Sequence, residues 1–143
     1  MKRIALLLAL AATGCNEHRF LEPGTPIPAP NPPPPGVPEY RLVVGQSVLV
    51  DGQLLLGFTD VPEDSRCPAN AYCVWQGNAE VTLSASFGRC VAVVFTLNTD
   101  LLPRDTVFAP YRIELVGLDP YPLGPPVGLD ESLARLRVSV LPD

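Results

Sequence analysis

The side chains that most clearly offer chemistry in this sequence are its four cysteines, Cys15, Cys67, Cys73 and Cys90. Thiols can be acylated, joined in disulfides or bound to zinc, and an exported protein meets an oxidising compartment in which disulfides persist. A bridge between Cys67 and Cys73, six positions apart with Pro68 starting the intervening turn, would close a compact loop. A Cys73–Cys90 bridge and a zinc site of three cysteines are the alternatives.

Three side chains around this cysteine pair form a candidate binding loop: Asp64, Arg66 and Trp75. An aspartate in a turn more often caps backbone N–H groups or pairs with an arginine than it does chemistry, which is the expectation for Asp64. A tryptophan beside a disulfide usually packs in the core, which we expect of Trp75, with ligand stacking as the alternative.

The acidic side chains Asp60, Glu63 and Asp64 could offer oxygens to Ca²⁺ or act as a general acid and base. No EF-hand spacing in the sequence supports a calcium site. A hydrolase would need two carboxylates about 5–10 Å apart in a concave pocket. We therefore expect no catalytic residue, no metal and no cofactor, and keep a hydrolase as an alternative.

The composition excludes several kinds of site. Lys2 is the only lysine and His18 the only histidine, so the folded domain can build neither a lysine Schiff base nor a histidine-containing triad. The net charge is −5, and it becomes −7 without residues 1–14 because Lys2 and Arg3 are removed with them. An acidic protein lacks the basic footprint of nucleic-acid binding, so we expect no nucleic-acid partner.

Short strands must position these side chains, because helical spacing is nowhere sustained between residues 40 and 143. The Asp51-Gly52 dipeptide favours a hairpin turn. About seven or eight strands in roughly 100 residues predict an all-β domain, a small antiparallel β-sandwich, with a small β-barrel as the alternative. The predicted strands cover 40–44, 47–50, 53–58, 80–86, 89–97, 111–118 and 134–140.

The clearest predicted hairpin also places Cys90. A two-residue Phe87-Gly88 turn would set Ala85 opposite Cys90, and Val81 opposite Val94, on a wholly apolar face. Cys90 is therefore predicted to be a free core thiol that packs as a small hydrophobe.

Residues 1–14 have the pattern of an export signal, with a basic start and an apolar run over residues 4–12 that is too short to span a bilayer. The ending Ala-Thr-Gly-Cys resembles a bacterial lipobox, which implies cleavage before Cys15 and acylation of Cys15. An ordinary secretory signal is the alternative. Asn16, where an aspartate would resemble an inner-membrane retention signal, favours the outer membrane, on its periplasmic or surface face.

Residues 15–39 form a proline-rich spacer between this anchor and the domain at 40–143. Nine of the 18 prolines lie between residues 23 and 38, including four in a row at 32–35. Such a run favours polyproline II, which at about 3.1 Å per residue would carry the domain up to roughly 70 Å from the lipid. An SH3 or WW ligand is the alternative.

A resemblance to a known family rests on the segment from Asp64 to Ala79, which reads DSRCP, four residues, then CVWQGNA. This resembles a motif of uncharacterised bacterial lipoproteins and secreted proteins. In that family the motif follows a β-hairpin, and a tyrosine-containing strand and a valine-rich strand close the domain. Residues 42–141 match that order. The resemblance implies the Cys67–Cys73 bridge and an architecture but no activity, and Cys90 is an addition to the pattern.

Three functions fit these features. The anchor, the spacer and the lack of catalytic motifs favour an envelope lipoprotein that displays a non-catalytic binding or structural module, with an envelope protein or glycan as partner. The first alternative is a proteinase inhibitor that presents Arg66 or the Cys67–Cys73 loop, and burial of Arg66 would argue against it. The second is a hydrolase that uses Asp60, Glu63 and Asp64.

Overall fold

In a computed structural model of the chain, residues 36–123 and 131–142 are described, and they contain eight β-strands and no α-helix. No helix in these ranges is therefore long and apolar enough to cross a membrane. The predicted signal, Cys15 and the spacer up to residue 35 lie outside the described residues. The strands are β1 (Glu39–Val43), β2 (Ser47–Val50), β3 (Leu54–Asp64), β4 (Ala79–Phe87), β5 (Val93–Asn98), β6 (Asp105–Phe108), β7 (Tyr111–Asp119) and β8 (Leu133–Val140).

The strands form two antiparallel four-stranded sheets that pack as a sandwich. The first sheet has the order β1-β8-β7-β6 and the second the order β2-β3-β4-β5. The chain changes sheets twice, between β1 and β2 and between β5 and β6. The sheets do not close on each other, so the predicted β-sandwich is confirmed and the small barrel is wrong.

Alternation along each strand explains the packing, because successive side chains of a strand point to opposite faces. In β4, Ala79, Val81 and Leu83 are fully buried while Glu80 and Thr82 are half-exposed. The inward side chains of both sheets form one core. Its largest fully buried members are Phe58, Leu54, Leu56, Leu83, Leu97, Ile113, Leu115, Leu136, Val50 and Val81.

The outer face of the first sheet is covered by ion pairs between neighbouring strands. Arg112 pairs with Asp105 at 2.8 Å, and Arg137 pairs with Glu114 at 3.1 Å. Such half-exposed pairs each stabilise the sheet by about 1 kcal/mol or less. They show that arginines of this face hold strands together instead of forming a basic patch.

The hairpin between β4 and β5 differs from its predicted register. Ala85 pairs with Val93, and Cys90 lies in the connecting loop, where its N–H donates to the Phe87 carbonyl at 3.0 Å. Cys90 is half-buried in this loop and lies outside the apolar face of the hairpin, so its predicted place in the core is wrong.

The physical reason lies in the composition of β5. Residues 91–94 are all apolar, so no polar position tells which of them must face the solvent. The inward positions go to Phe95, which pairs with Leu83, and to Leu97. Val94, predicted to point inward, is exposed.

Strand β3 is longer than predicted and β6 was not predicted. β3 continues to Asp64, with register shifts between Phe58 and Asp60 and between Asp60 and Glu63. Pro62 lies in the second shift, which is where a strand tolerates a residue without an N–H donor. β6 has only four residues and lies between two prolines, so the sequence pattern is too short to reveal it.

The register gives the sandwich two distinct ends. Residues 36–38 enter beside the Asp51-Gly52 turn, the β4–β5 hairpin and the end of β8, and we call this the tether end. The connections β3–β4, β5–β6 and β7–β8 meet at the opposite end, which we call the loop end. The eleven residues of β3 run between the ends, a span of about 35 Å at roughly 3.3 Å per residue.

Candidate functional site

Arg66 organises the loop end. Its guanidinium donates from Nε and Nη2 to the two carboxylate oxygens of Asp64, at 2.9 and 2.6 Å. Nη1 donates to the Leu118 carbonyl at 2.5 Å and Nη2 to the Pro120 carbonyl at 3.1 Å. The residue is 8% exposed, and its cation lies 5.4 Å from the centre of the Tyr121 ring. Arg66 therefore joins the β3–β4 connection to the chain that leaves β7.

Asp64 is the fixed partner of this cation. It is the last residue of β3, whereas the sequence placed it in a turn. Burial alone would raise the pKa of the Asp64 carboxyl, but the hydrogen bonds and the charge of Arg66 outweigh burial and hold that pKa below its ordinary value of 3.8. The expected pairing of Asp64 with Arg66 is confirmed, and both side chains are occupied by the structure of the loop end.

Asn78 joins the same connection to the β5–β6 loop. Its side-chain oxygen accepts from the Asp100 and Leu101 N–H groups at 3.1 and 3.3 Å, and its Nδ2 donates to Asn98 Oδ1 at 2.7 Å. The Ala79 N–H donates to Thr99 Oγ1 at 2.9 Å. Asn78 is buried, so these bonds satisfy a polar side chain that would otherwise destabilise the fold.

Gly77 lets the connection return against its own start. Its φ is +77°, a left-handed conformation, and a Cβ there would overlap the Ser65 carbonyl oxygen. The Cys67 N–H donates to the Gln76 carbonyl at 2.8 Å, and the Ser65 N–H donates to the Asn78 carbonyl at 2.7 Å. These hydrogen bonds hold the two ends of the connection together next to β3 and β4.

The predicted disulfide is confirmed between Cys67 and Cys73, with an S–S distance of 2.06 Å and a Cα–Cα distance of 6.0 Å. The alternative Cys73–Cys90 bridge is therefore wrong. The loop between the cysteines is a compact turn, since the Ala71 N–H donates to the Pro68 carbonyl at 3.0 Å. The Ala69 N–H donates to the Pro122 carbonyl at 2.9 Å, so the loop also rests on the β7–β8 connection.

Beyond this framework, apolar side chains of the loop end reach into solvent. Residues 69–76 are all exposed. Trp75 is 65% exposed, so its expected packing in the core is wrong. Of the twelve large hydrophobic side chains that are exposed in the described residues, seven lie here, and we call them the loop patch: Tyr72, Val74, Trp75, Leu101, Leu102, Tyr121 and Leu123.

The acidic side chains predicted on this segment of β3 are open to solvent. Asp60 and Glu63 are exposed on β3, where Asp60 pairs with Thr82 and Glu63 with Glu80 on the neighbouring strand. Within residues 36–123 and 131–142, no group of three His, Cys, Asp or Glu side chains could hold a metal ion. An open hollow lies at the tether end instead, lined by Gly36, Val37, Pro38, Asp51, Val138, Ser139 and Val140.

Sequence reasoning named Asp64, Arg66 and Trp75 of the β3–β4 connection and missed the residues of the other two loops. Leu101 and Leu102 follow β5, and an apolar pair before a proline in a predicted loop was the available signal. Asn78 was part of the quoted motif, yet nothing in the motif indicates which loop its side chain holds.

Comparisons of the chain with protein-family models, with curated proteins and with solved structures found no match. The resemblance to the lipoprotein and secreted-protein motif therefore stays a prediction.

Proposed function

We propose that this protein is a lipid-anchored component of the bacterial envelope whose β-sandwich is a non-catalytic binding module, and that the loop patch is its binding surface. The exposure of the patch carries the proposal. Large apolar side chains concentrate on one end of the domain while the outer face of the first sheet is covered by ion pairs. Concentrated exposed apolar surface marks interaction sites in folded proteins.

The framework beneath the patch favours binding over chemistry. Arg66 is bonded to Asp64, Leu118 and Pro120, and Asn78 is bonded to the β5–β6 loop, so these side chains hold the β3–β4 connection in place. A fixed loop loses little conformational entropy when it binds, which increases affinity. Asp60 and Glu63 are exposed on β3 and Asp64 is bonded to Arg66, so we do not favour the hydrolase alternative, which needs two carboxylates facing one pocket.

The inhibitor alternative also loses its best residue. An inhibitory arginine must enter the specificity pocket of a protease, whereas Arg66 is 8% exposed and bonded to Asp64 and two backbone carbonyls. The Cys67–Cys73 loop is exposed, but it folds into a hydrogen-bonded turn and is not extended. We therefore prefer an envelope-binding module, with an envelope protein, a glycan or the membrane itself as partner.

The test measures retention of the protein by washed envelope fragments that contain membranes and peptidoglycan. The chain carries Cys15→Ser and Cys90→Ser, which removes the predicted acylation site without leaving an odd thiol. Val74→Ser is added to weaken the patch, and Val91→Ser is the matched control, because Val74 and Val91 are 107% and 91% exposed and Val91 lies at the tether end. We expect Val74→Ser to reduce retention and Val91→Ser to leave it unchanged. Equal retention of both variants would leave only a structural role for the module.

A further inference from the structure

We propose that the partner of the loop patch is a lipid bilayer, into whose interface the domain inserts Trp75, Val74, Tyr72 and Leu102. The proposal names the ligand of the binding surface and so rests on the proposed function. Three properties of the loop end lead to it: the use of its polar groups, the shape of its apolar side chains, and its charge.

The two buried polar side chains of the loop end, Arg66 and Asn78, use their hydrogen-bonding groups within the protein and do not offer them to a glycan. Four N–H groups of the Arg66 side chain and backbone bind Asp64 or Leu118, and another binds Pro120. The Asn78 amide is bonded on both its nitrogen and its oxygen. A sugar site needs convergent hydrogen-bonding groups beside an aromatic platform. The loop end offers aromatic side chains, but the hydrogen-bonding groups of its buried arginine and asparagine are already bonded within the protein.

The apolar side chains protrude from separate loops. Tyr72 and Val74 are fully exposed, and Leu102 is 86% exposed on the β5–β6 loop. A protein partner would need a surface shaped to receive each of them. A bilayer interface receives protruding side chains without such a match, and tryptophan and tyrosine are the residues most typical of that interface.

The charge of the loop end indicates which lipids it meets. The seven side chains of the loop patch are uncharged, and the β5–β6 loop carries one acidic and one basic residue, Asp100 and Arg104. No cluster of lysines or arginines is available there for anionic headgroups, since Arg66 is buried. The structure therefore favours a zwitterionic lipid surface, which the domain would bind through apolar contact rather than electrostatic attraction.

The length of the chain before the domain permits this contact. Residues 16–35 are proline-rich, and twenty such residues extend to about 60 Å. That exceeds the span of about 35 Å between the tether end and the loop end. A domain anchored through Cys15 can therefore turn its loop end to the membrane that holds the anchor.

Trp75 reports on this contact directly because it is the only tryptophan in the chain. The protein with Cys15→Ser and Cys90→Ser is titrated with phosphatidylcholine vesicles, with and without bromine on the acyl chains. We expect the Trp75 emission to shift to shorter wavelength and to be quenched by the brominated lipid. Val74→Ser should weaken the binding by about threefold to tenfold, the effect of exposing a few methyl groups, and Val91→Ser should not change it.

Other results would overturn the proposal. They are an unchanged Trp75 emission, equal weakening by Val74→Ser and Val91→Ser, and binding that requires phosphatidylglycerol. If washed envelopes retain the protein through Val74 but pure vesicles do not, the bilayer is wrong and a protein or glycan partner takes its place. If neither retains it through Val74, the proposed function itself has failed.

Discussion

At the residue scale, Arg66 decides how the loop end is built. It is a buried cation that bonds the carboxylate of Asp64 at the end of β3 and the carbonyls of Leu118 and Pro120 at the end of β7. Removing one partner of a buried ion pair costs about 3–5 kcal/mol, because the other charge is left without compensation. The Asp64 side chain is 25% exposed, so water can reach it and the lower end of that range applies. The pair is therefore a structural device, although its residue types first suggested a binding role.

The Asp64–Arg66 pair should make the stability of the domain sensitive to acid. Because the pKa of Asp64 is lower in the folded protein than in the unfolded chain, the pair stabilises the fold fully above the unfolded pKa of about 3.9. This contribution is lost as the pH falls through the lower, folded pKa. Denaturant unfolding followed by circular dichroism between pH 7 and pH 2 should show the loss.

The matched variant is Asp64→Asn, whose amide cannot titrate. Its free energy of unfolding should be lower than that of the wild type at pH 7 and should change less between pH 4 and pH 2. If the two proteins lose stability in parallel over this range, Arg66 does not lower the pKa of Asp64.

At the element scale, the connection between β3 and β4 has buried ends that support it and a middle that is exposed to solvent. Its two ends are buried, with Arg66 at one and Gly77 and Asn78 at the other. Backbone hydrogen bonds hold the two ends together. Its middle, residues 69–76, is exposed and tied by the Cys67–Cys73 disulfide. A bridge that closes so short a loop stabilises the fold by roughly 2 kcal/mol in the chain-entropy model.

Gly77→Ala tests the close return of this connection. The left-handed φ costs any other residue about 1 kcal/mol, and the overlap of a Cβ with the Ser65 carbonyl adds roughly 1–3 kcal/mol. We expect the free energy of unfolding to fall by about 2–4 kcal/mol. Gly88→Ala is the control, since Gly88 has a φ of +55° but open space where a Cβ would lie. It should cost only about 1 kcal/mol. Equal effects of the two substitutions in denaturant unfolding would show that the Ser65 contact is unimportant.

At the scale of the whole molecule, the two ends of the domain have different roles. The chain enters at the tether end, and the loop patch lies at the other end of β3. This layout suits a display module, because residues 36–38, through which the chain enters the domain, do not cover the binding surface.

The predicted anchor can be tested by Triton X-114 phase separation of the protein made in bacteria. Acylated Cys15 should carry the protein into the detergent phase, because each buried methylene contributes about 0.8 kcal/mol. Cys15→Ser combined with Cys90→Ser should move it to the aqueous phase and remove the acyl mass from its N-terminal peptide. A wild-type peptide without acyl mass, or a variant that stays in the detergent phase, would contradict lipidation.

Much of the fold follows from local patterns in the sequence. The period of two in 80–86 and 134–140 predicted strands that the structure contains, because one face of each is buried, through Val81, Leu83 and Ala85 in the first and Ala134, Leu136 and Val138 in the second. The predicted register of β4 against β5 failed where four apolar residues in a row gave no such contrast. The short spacing of Cys67 and Cys73 and the pairing of Asp64 with Arg66 were also local, and both were predictable.

The sequence by itself therefore determined the fold class and the close disulfide, and it offered capping or an arginine pair as the role of Asp64, since each depends on residues a few positions apart. Only the tertiary structure decided that Arg66 is buried against Leu118 and Pro120, more than 50 positions away. It also decided that Trp75 faces solvent beside the loops of Leu102 and Tyr121. Exposure depends on which distant segments cover a side chain, and that is fixed by the packing of the two sheets rather than by the residues next to it.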